Sequence, residues 1–298
     1  MELLVPALLR GLGIGSLYAL LAVSFVIIYR ATQVVNFAQP ALMILGSYFT
    51  SLFALQLGLP FPLAVVLAMA ALAAIGAVTE RLAMRPLVGQ PVFSAAMVTV
   101  GVFIVLTIVA NRLIGPGIIV VGDPWGFEFL QVGTFTVFQS DVARTVLSLG
   151  AIAAVGVFLK RSRVGLAMRA TSLDQETALA QGVDVGRMFS LAWAISGALA
   201  GLAGMLVGTG SGGLEATAAL IALKALPVII LGGIDSIQGA VVAGLAIGLA
   251  ESLTRSYQPI HAPWLGANFD VVVPYLILIL TLMVRPYGLF GTREVERV

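Results

Sequence analysis

The sequence predicts an all-α protein that crosses a membrane many times. Of its 298 residues, 60% are hydrophobic and only 10% are charged, whereas a soluble domain carries about 25% charged residues. The apolar residues form unbroken runs near the ~20 residues that a membrane helix requires. They do not show the apolar/polar alternation over about ten residues that is typical of barrel strands. Because a bilayer offers the backbone no water, helices are the structure that fits such runs.

Nine apolar runs predict the helices of one transmembrane domain covering residues 1–298. We expect about eight or nine membrane-spanning or re-entrant helices, since short runs interrupted by Gly or Pro are typical of broken helices that line a cavity. The first run has no basic region before it and no small-residue cleavage site after it, so it is interpreted as a membrane helix and not a signal peptide. The runs are Leu12–Ile28, Phe37–Leu57, Leu63–Val78, Val92–Leu113, Val142–Leu159, Phe189–Val207, Leu220–Leu231, Ala240–Leu253 and Val271–Val284.

The positions of Lys and Arg predict the orientation, because these residues concentrate in short cytoplasmic loops. Arg81 and Arg85, the loop at about 160–187 and the tail after Arg285 are therefore expected in the cytoplasm. The segment at about 114–141 carries acidic residues without Lys or Arg and is expected in the periplasm. Alternating apolar residues predict a small hairpin within it, formed by Phe127, Phe129, Val132, Phe135 and Val137.

Composition excludes several kinds of chemistry. The chain has no cysteine and one histidine, so a thiol nucleophile, a thiolate metal site or a histidine cluster is not expected. It also lacks the Gly-x-x-x-x-Gly-Lys-Ser/Thr pattern that holds nucleotide phosphates. We predict no catalytic residue, no metal site and no cofactor bound by this chain. A net charge of +2 gives no reason to expect nucleic acid as a partner.

The loop at about 160–187 contains a predicted short helix. Ser172 is the expected N-cap with Gln175 at the capping-box position, and Gly182 is expected to end the helix. Such a helix, held at the inner face of the membrane by two spans, predicts a docking site for a cytoplasmic partner. The alternative is a helix lying on lipid headgroups, which its few large apolar residues and weak basicity disfavour.

Two pairs of residues beside apolar runs leave alternatives open. Asn36 and Gln39 precede a helix whose free N–H groups favour an anionic ligand group, or they cap and anchor that helix. Gly232 and Gly233 form either a hinge at a re-entrant tip or a tight turn.

Two charged residues lie inside apolar runs. Lys224 and Glu251 each cost a few kcal/mol at mid-bilayer when unpaired. They are therefore expected either to pair with each other or, for Lys224, to extend to the interface.

The loop also carries a family resemblance. Glu176–Gly182, ETALAQG, resembles the Glu-Ala-Ala-x-x-x-Gly motif by which permeases of ATP-binding cassette (ABC) importers contact their ATPases, with Thr177 in place of the first alanine. With its flanks it resembles the loop of branched-chain amino acid permeases of the LivH type. Further matches are at 13–20 and 36–39, at Leu231–Ala240, and at the closing residues 285–291 and 294–296.

This resemblance implies a permease subunit of an ATP-driven importer in the bacterial inner membrane. It implies a LivM-like second permease, two cytoplasmic ATPases similar to LivG and LivF that use ATP and Mg²⁺, and a periplasmic binding protein. Membrane lipid is a further partner. The residues implied in ATPase coupling are Leu173, Asp174, Glu176, Thr177, Ala178 and Gly182. Those implied in the substrate path are Asn36, Phe37, Gln39, Gly232 and Gly233.

The resemblance implies a small polar solute, namely a branched-chain or related amino acid. Urea, amides and aromatic carboxylates remain alternatives within the family, because Pro40 and Ala41 replace the residues that usually follow the opening motif. Asp235 replaces a glycine in the second signature. A stand-alone channel or secondary transporter is the alternative from another class, although it would not need a docking helix and should carry more intramembrane ionisable groups.

Overall fold

The computed structural model describes residues 3–115, 117–118, 120–125, 128–132, 135–209 and 219–291. Its described residues are mostly helical, with one two-stranded hairpin. The helices are α1 (Leu4–Thr32), α2 (Gln39–Ser51), α3 (Phe61–Thr79), α4 (Val92–Ile114), α5 (Gln139–Arg161), α6 (Arg163–Leu173), α7 (Gln175–Ala180), α8 (Val185–Gly208), α9 (Ala219–Leu223), α10 (Ala225–Gly232), α11 (Ile237–His261) and α12 (Val273–Val284). The strands are β1 (Phe129–Val132) and β2 (Phe135–Phe138).

Six helices are long and apolar enough to cross a membrane. They are α1, α3 with its continuation to Leu87, α4, α5, α8 and α11, and they confirm a polytopic helical membrane protein. The other three predicted runs form shorter helices: α2, which a π-helical turn extends to Gln56, the pair α9 and α10, and α12. A total of eight or nine spans stays a prediction.

Helix α1 lies at the centre of the molecule. It packs against α5, α8, α10 and α11, and its residues from Leu17 to Ile28 are all buried. By contrast, about half of the residues of α4 are exposed and most of these are apolar, including Phe93, Val105 and Ile108, as expected for a helix that faces lipid.

Glycines set the spacing between the central helices. A Cβ on Gly248 of α11 would overlap the backbone of Gly15 in α1, and one on Gly204 of α8 would overlap the carbonyl oxygen of Met43 in α2. Close backbone approach of this kind favours helix association in lipid, where apolar burial gives little driving force.

The two ends of the bundle differ in charge. Arg85 donates a hydrogen bond to the carbonyl oxygen of Gly186 at 2.9 Å, and Lys160, Arg169 and Phe290 border one cavity. The three predicted basic segments therefore share one end, called here the basic end. Arg293 and Arg297 lie outside the described residues.

The hairpin lies at the other end of α5, called here the hairpin end. β1 pairs with β2 in antiparallel register, with Phe129 opposite Phe138, and α5 begins directly after β2. The predicted hairpin is confirmed over these strands, while Phe127 lies outside the described residues.

Replacing Gly248 with alanine is expected to lower the thermal midpoint of unfolding in detergent. The added methyl group overlaps the backbone of Gly15, and overpacking of this kind costs about 1–3 kcal/mol. Gly101→Ala in α4 is the matched control, because a Cβ there meets nothing within 4 Å. Equal midpoints for the two variants, measured by size-exclusion chromatography after heating, would show that this contact does not hold α1 to α11.

Candidate coupling surface and transport path

The loop between α5 and α8 folds into two helices, α6 and α7, where the sequence predicted one. Ser172 lies inside α6 and does not cap α7. Asp174 caps it instead: its carboxylate accepts from the Thr177 N–H at 3.0 Å and from the Thr177 hydroxyl at 2.6 Å. These two hydrogen bonds hold the pKa of Asp174 below its ordinary value. The prediction of a Ser172 cap with Gln175 was wrong, because Asp174 adopts an extended backbone that ends α6.

Helix α7 ends in a glycine turn. Gly182 has φ +81, a conformation that glycine adopts without the steric cost of a Cβ. Its N–H bonds to the carbonyl oxygen of Leu179 at 2.9 Å, and the Val183 N–H bonds to that of Ala178 at 3.0 Å. The predicted end of this helix at Gly182 is confirmed.

Side chains of the loop point in two directions. Leu173 is 89% exposed and Leu179 is 57% exposed, and Asp174, Glu176 and Thr177 are exposed beside them. Ala178 is only 4% exposed and belongs to the main hydrophobic core. Ala178 therefore contacts this chain's own helices and not an outer surface, in contrast to its predicted place on the docking side.

The base of the loop is fixed to the bundle by hydrogen bonds. Asp184 caps α8 by accepting from the Arg187 N–H at 2.9 Å. Glu80, which is 1% exposed, pairs with Arg85 at 3.1 Å and accepts a hydrogen bond from Ser190 in α8. The end of α3 and the start of α8 are thus held together, and α7 is fixed to them through its buried alanine.

Asn36 and Gln39 form the centre of a buried polar network. Both are completely buried. The Asn36 amide donates to Gln39 Oε1 at 3.1 Å, while the Gln39 amide donates to Ser24 Oγ at 2.6 Å. The hydroxyl of Ser196 donates to Gln39 Oε1 at 3.2 Å, so the network joins the start of α2 to α1 and α8.

This network lies deep in the bundle. Ser24 precedes the end of α1 by eight residues and Ser196 lies eleven residues beyond the start of α8. At 1.5 Å per residue, Gln39 is therefore roughly 12–17 Å from the basic end. That depth is near the middle of a hydrocarbon core about 30 Å thick, so α2 begins inside the membrane.

The position of α2 fits both alternatives raised by the sequence. The side-chain Oδ1 of Asn36 accepts from the Ala38 N–H at 3.0 Å, and the Phe37 N–H donates to Thr99 Oγ1 at 3.1 Å. In this arrangement the polar side chains anchor the helix start within the protein. Contact of Asn36, Phe37 and Gln39 with substrate stays a prediction, and it requires these helices to separate.

Gly232 and Gly233 form a tight turn that also receives the C-terminal segment. Gly233 has φ +99. The N–H groups of Leu289 and Phe290 bond to the carbonyl oxygens of Leu231 and Gly232 at 2.8 and 3.1 Å, which satisfies the end of α10. These contacts favour the interpretation as a turn, and they lie at the basic end beside Phe290.

Lys224 and Glu251 form the predicted salt bridge, at 2.6 Å. Glu251 is 2% exposed and also accepts a hydrogen bond from the Tyr18 hydroxyl at 2.9 Å. Arg255 lies 3.8 Å from Glu251 and pairs with Asp270 at 2.6 Å. The cluster therefore joins α1, the α9–α10 connection, α11 and the start of α12.

Apart from the pairing of Lys224 with Glu251, sequence reasoning missed the partners at both polar sites. Arg255 follows Glu251 by four residues, a helical spacing that signals an ion pair and could have been found. Tyr18, Ser24 and Ser196 come from distant helices and carry no local signal. Over the described residues, no group of three or more His, Asp or Glu side chains is placed to hold a metal ion.

Comparisons with known proteins agree with this geometry. Residues 7–282 match the family model described as branched-chain amino acid transport system / permease component. The LivH permease protein of the high-affinity branched-chain amino acid transport system of Escherichia coli is 30% identical over 97% of this chain and 96% of its own length. The corresponding protein BraD of Pseudomonas aeruginosa is 30% identical over 98% and 97%. A probable LivH of Methanocaldococcus jannaschii is 29% identical over 93% and 89%.

A solved structure shares the fold. It is described as PsaBC from Streptococcus pneumoniae in complex with Fab, and a chain of it aligns with a TM-score of 0.51 over 96% of this chain and 93% of its own. Its sequence identity of 16% limits this similarity to the fold.

Replacing Lys224 with methionine is expected to destabilise the protein by about 3–5 kcal/mol, because Glu251 would keep a buried charge without its closest partner. The double variant Lys224→Met, Glu251→Leu is expected to recover most of the loss, since it removes both charges. Thermal midpoints in detergent would measure both effects. A double variant no more stable than the single one would show that the pair does not act as a unit.

Proposed function

Because the chain belongs to the family of permease components of branched-chain amino acid transport systems, we propose that it is one membrane subunit of an ATP-driven importer. In this proposal the chain forms part of the path for a small polar solute, most simply a branched-chain or related amino acid. Two cytoplasmic ATPases, similar to LivG and LivF, hydrolyse ATP with Mg²⁺. A LivM-like permease completes the path, and a periplasmic binding protein delivers the solute.

The observation that carries the proposal is the shape of the loop at the basic end. Leu173 and Leu179 project from it with 89% and 57% of their surfaces exposed. Exposed leucines on a short, capped helix suit a groove in another protein, where burying each apolar side chain gives about 1.5–3 kcal/mol. Glu176 and Thr177 lie on the same exposed side.

The loop is also built to transmit movement. Ala178 packs into the core and Gly182 makes the turn that leads into α8. Glu80 and Arg85 then connect the base of α8 to α3. A displacement of α7 by a closing ATPase would therefore reach α8 and α3 directly, because close-packed interiors transmit strain and do not absorb it.

Helix α8 connects the loop to the buried polar network. Ser196 of α8 donates to Gln39, which holds the start of α2. Movement of α8 along its axis would break this hydrogen bond and free the amides of Asn36 and Gln39 for a solute. The proposed path therefore opens beside these residues when the loop moves.

A secondary transporter is the second candidate, and the cluster around Glu251 is the observation that favours it. Ionisable groups inside a membrane commonly mark ion pathways. In this structure, however, Lys224 and Arg255 already neutralise Glu251 and Asp270. A paired cluster of this kind is the arrangement expected of a structural contact.

The positions of Lys and Arg predict that the basic end lies on the cytoplasmic side of the inner membrane. The chain contains no cysteine, so single cysteines can be introduced without a background. A cysteine at Glu176 is expected to react with an impermeant maleimide only after the cells are permeabilised, while one at Gln131 in β1 reacts in intact cells. The opposite pattern would reverse the orientation and remove the loop from the ATPase side.

Exchanging Leu173 and Leu179 together for aspartate is expected to reduce ATPase copurification and solute uptake at least about tenfold, since two apolar contacts are lost from one groove. The thermal midpoint should remain within a few degrees, because both side chains are exposed. Leu82→Asp is the control, as Leu82 is 74% exposed elsewhere at the basic end. Ala178→Arg tests the other side of the helix and is expected to impair folding itself.

Unchanged ATPase binding and uptake in a correctly inserted Leu173→Asp, Leu179→Asp variant would exclude α7 as the coupling element. If no ATPase copurifies with the wild-type chain from its own cells, the importer proposal itself fails.

A further inference from the structure

A cavity of about 690 Å³ lies at the basic end, outside the polar network and the coupling surface. It is bounded by α5 on one side and by the start of α11 on the other, with α1 behind it and α6 at its end. Its volume falls within the range of about 300–1,000 Å³ typical of ligand sites. The lining is mostly apolar, and Ile27, Ile152 and Val241 are among its residues.

Three cations stand at one end of this cavity. Arg30 is in the last turn of α1, Lys160 is in the last turn of α5, and Arg169 is in α6. Asp235 also borders the cavity, so the described lining carries three positive charges and one negative charge. The cavity therefore has apolar walls and one cationic end, called here the cationic mouth, which is formed by Arg30, Lys160 and Arg169.

Arg30 is half-buried, whereas Lys160 and Arg169 are exposed. Four cations elsewhere in the described chain form ion pairs. Arg85, Arg144, Lys224 and Arg255 each pair with a carboxylate. Within the part of the chain that the structure describes, no carboxylate oxygen lies within 4.0 Å of the charged nitrogens of the three mouth residues. Arg169 donates only two long hydrogen bonds of 3.4 Å, to backbone carbonyl oxygens. Their charges are thus available to an anion.

Along the membrane normal, the basic residues of the cavity lie nearer to the basic end than its apolar residues do. Ile152 precedes Lys160 by eight residues of α5, which places it about 12 Å deeper in the bundle. The cations are therefore at the level of headgroups and the apolar walls are at the level of acyl chains. The start of α11, where Ser236 caps the helix, adds the positive end of a helix dipole to the mouth.

We propose that this cavity binds an anionic phospholipid, with its phosphate on Arg30, Lys160 and Arg169 and an acyl chain against the apolar walls. Basic pockets between membrane helices at the cytoplasmic side suit anionic headgroups. The charge excess at the mouth favours an anionic over a zwitterionic lipid. The helices on both sides, with Val157 and Val242 exposed, give an acyl chain direct access from the bilayer.

Lipid retention by the full-length chain tests this site without any ATPase. The wild-type protein in mild detergent is incubated with phosphatidylglycerol or phosphatidylcholine of the same acyl chains, and bound lipid is counted by native mass spectrometry. Phosphatidylglycerol is expected to predominate, and the variant Arg30→Gln, Lys160→Gln, Arg169→Gln is expected to lose about fivefold in preference for each cation removed. The matched variant Arg81→Gln, Arg161→Gln, Arg163→Gln removes the same charge at the same end, from residues outside the cavity, and should keep the preference.

Filling the cavity tests the acyl-chain part of the site. Gly156 borders it, and a Cβ there meets nothing within 4 Å, so Gly156→Phe should occupy the space without disturbing the fold. It is expected to reduce bound phosphatidylglycerol severalfold. Gly150→Phe on the same helix is the control, because Gly150 is equally free of neighbours and does not border the cavity.

Several outcomes would overturn the proposal. They are equal retention of the two lipids by the wild type, an equal loss in both charge variants, and full retention by Gly156→Phe. Displacement of the lipid by soluble glycerol phosphate in moderate excess would show that the site binds an anion but not an acyl chain. Loss of a second permease subunit from Gly156→Phe, without any lipid preference in the wild type, would assign the cavity to a protein interface.

Discussion

Helix α1 can occupy the centre of the molecule only because glycines let other helices approach its backbone. In lipid, burying leucine against leucine gains little over leucine against an acyl chain, so contact depends on how closely the helices fit. Gly15 of α1 faces Gly248 of α11 with no space for a side chain on either. The remaining helices are arranged around this pair: α8 packs on α1 and in turn holds α2 and α3. The long apolar sequence of α1 follows from its position, since all its sides meet protein.

This central contact determines which polar groups the interior can hold. Tyr18 and Ser24 are both on α1, and Ser24 lies nearer to the basic end than Tyr18 does. Tyr18 bonds to Glu251 of α11, whereas Ser24 accepts from Gln39 of α2. Each of these two side chains thus finds a partner on a neighbouring helix, as the absence of water in the hydrocarbon region favours. The two networks together fix both the depth of α2 and the position of α9 and α10 relative to α1.

The fold class and the ends of most helices were predictable from sequence, because the length of an apolar run and the position of Lys and Arg are local signals. The pairing of Lys224 with Glu251 was one of the two arrangements that the sequence allowed, since an intramembrane charge has few alternatives. The cap at Asp174 was missed because Ser172 and Asp174 are both good N-caps, and the choice depends on where α6 ends. The burial of Ala178 was missed as well: a six-residue helix has too few residues for its pattern to show which side faces the protein. The burial of Asn36 and Gln39 depends on Ser24 and Ser196, which only the folded chain brings to them.

The cationic mouth and the coupling helix are parts of one continuous segment. Arg169 is in α6, and α6 ends at Leu173, one residue before the Asp174 cap of α7. Gly165 at the start of α6 is packed against the backbone of Leu159 in α5, so this end of α6 is already held by the bundle. Its other end carries the exposed Leu173. An anion bound between Arg169 and Lys160 would connect α6 to α5 by charge, and would restrict how far α6 can turn when α7 is pushed. The position of a lipid at the basic end and the stiffness of the coupling loop are therefore physically linked through α6.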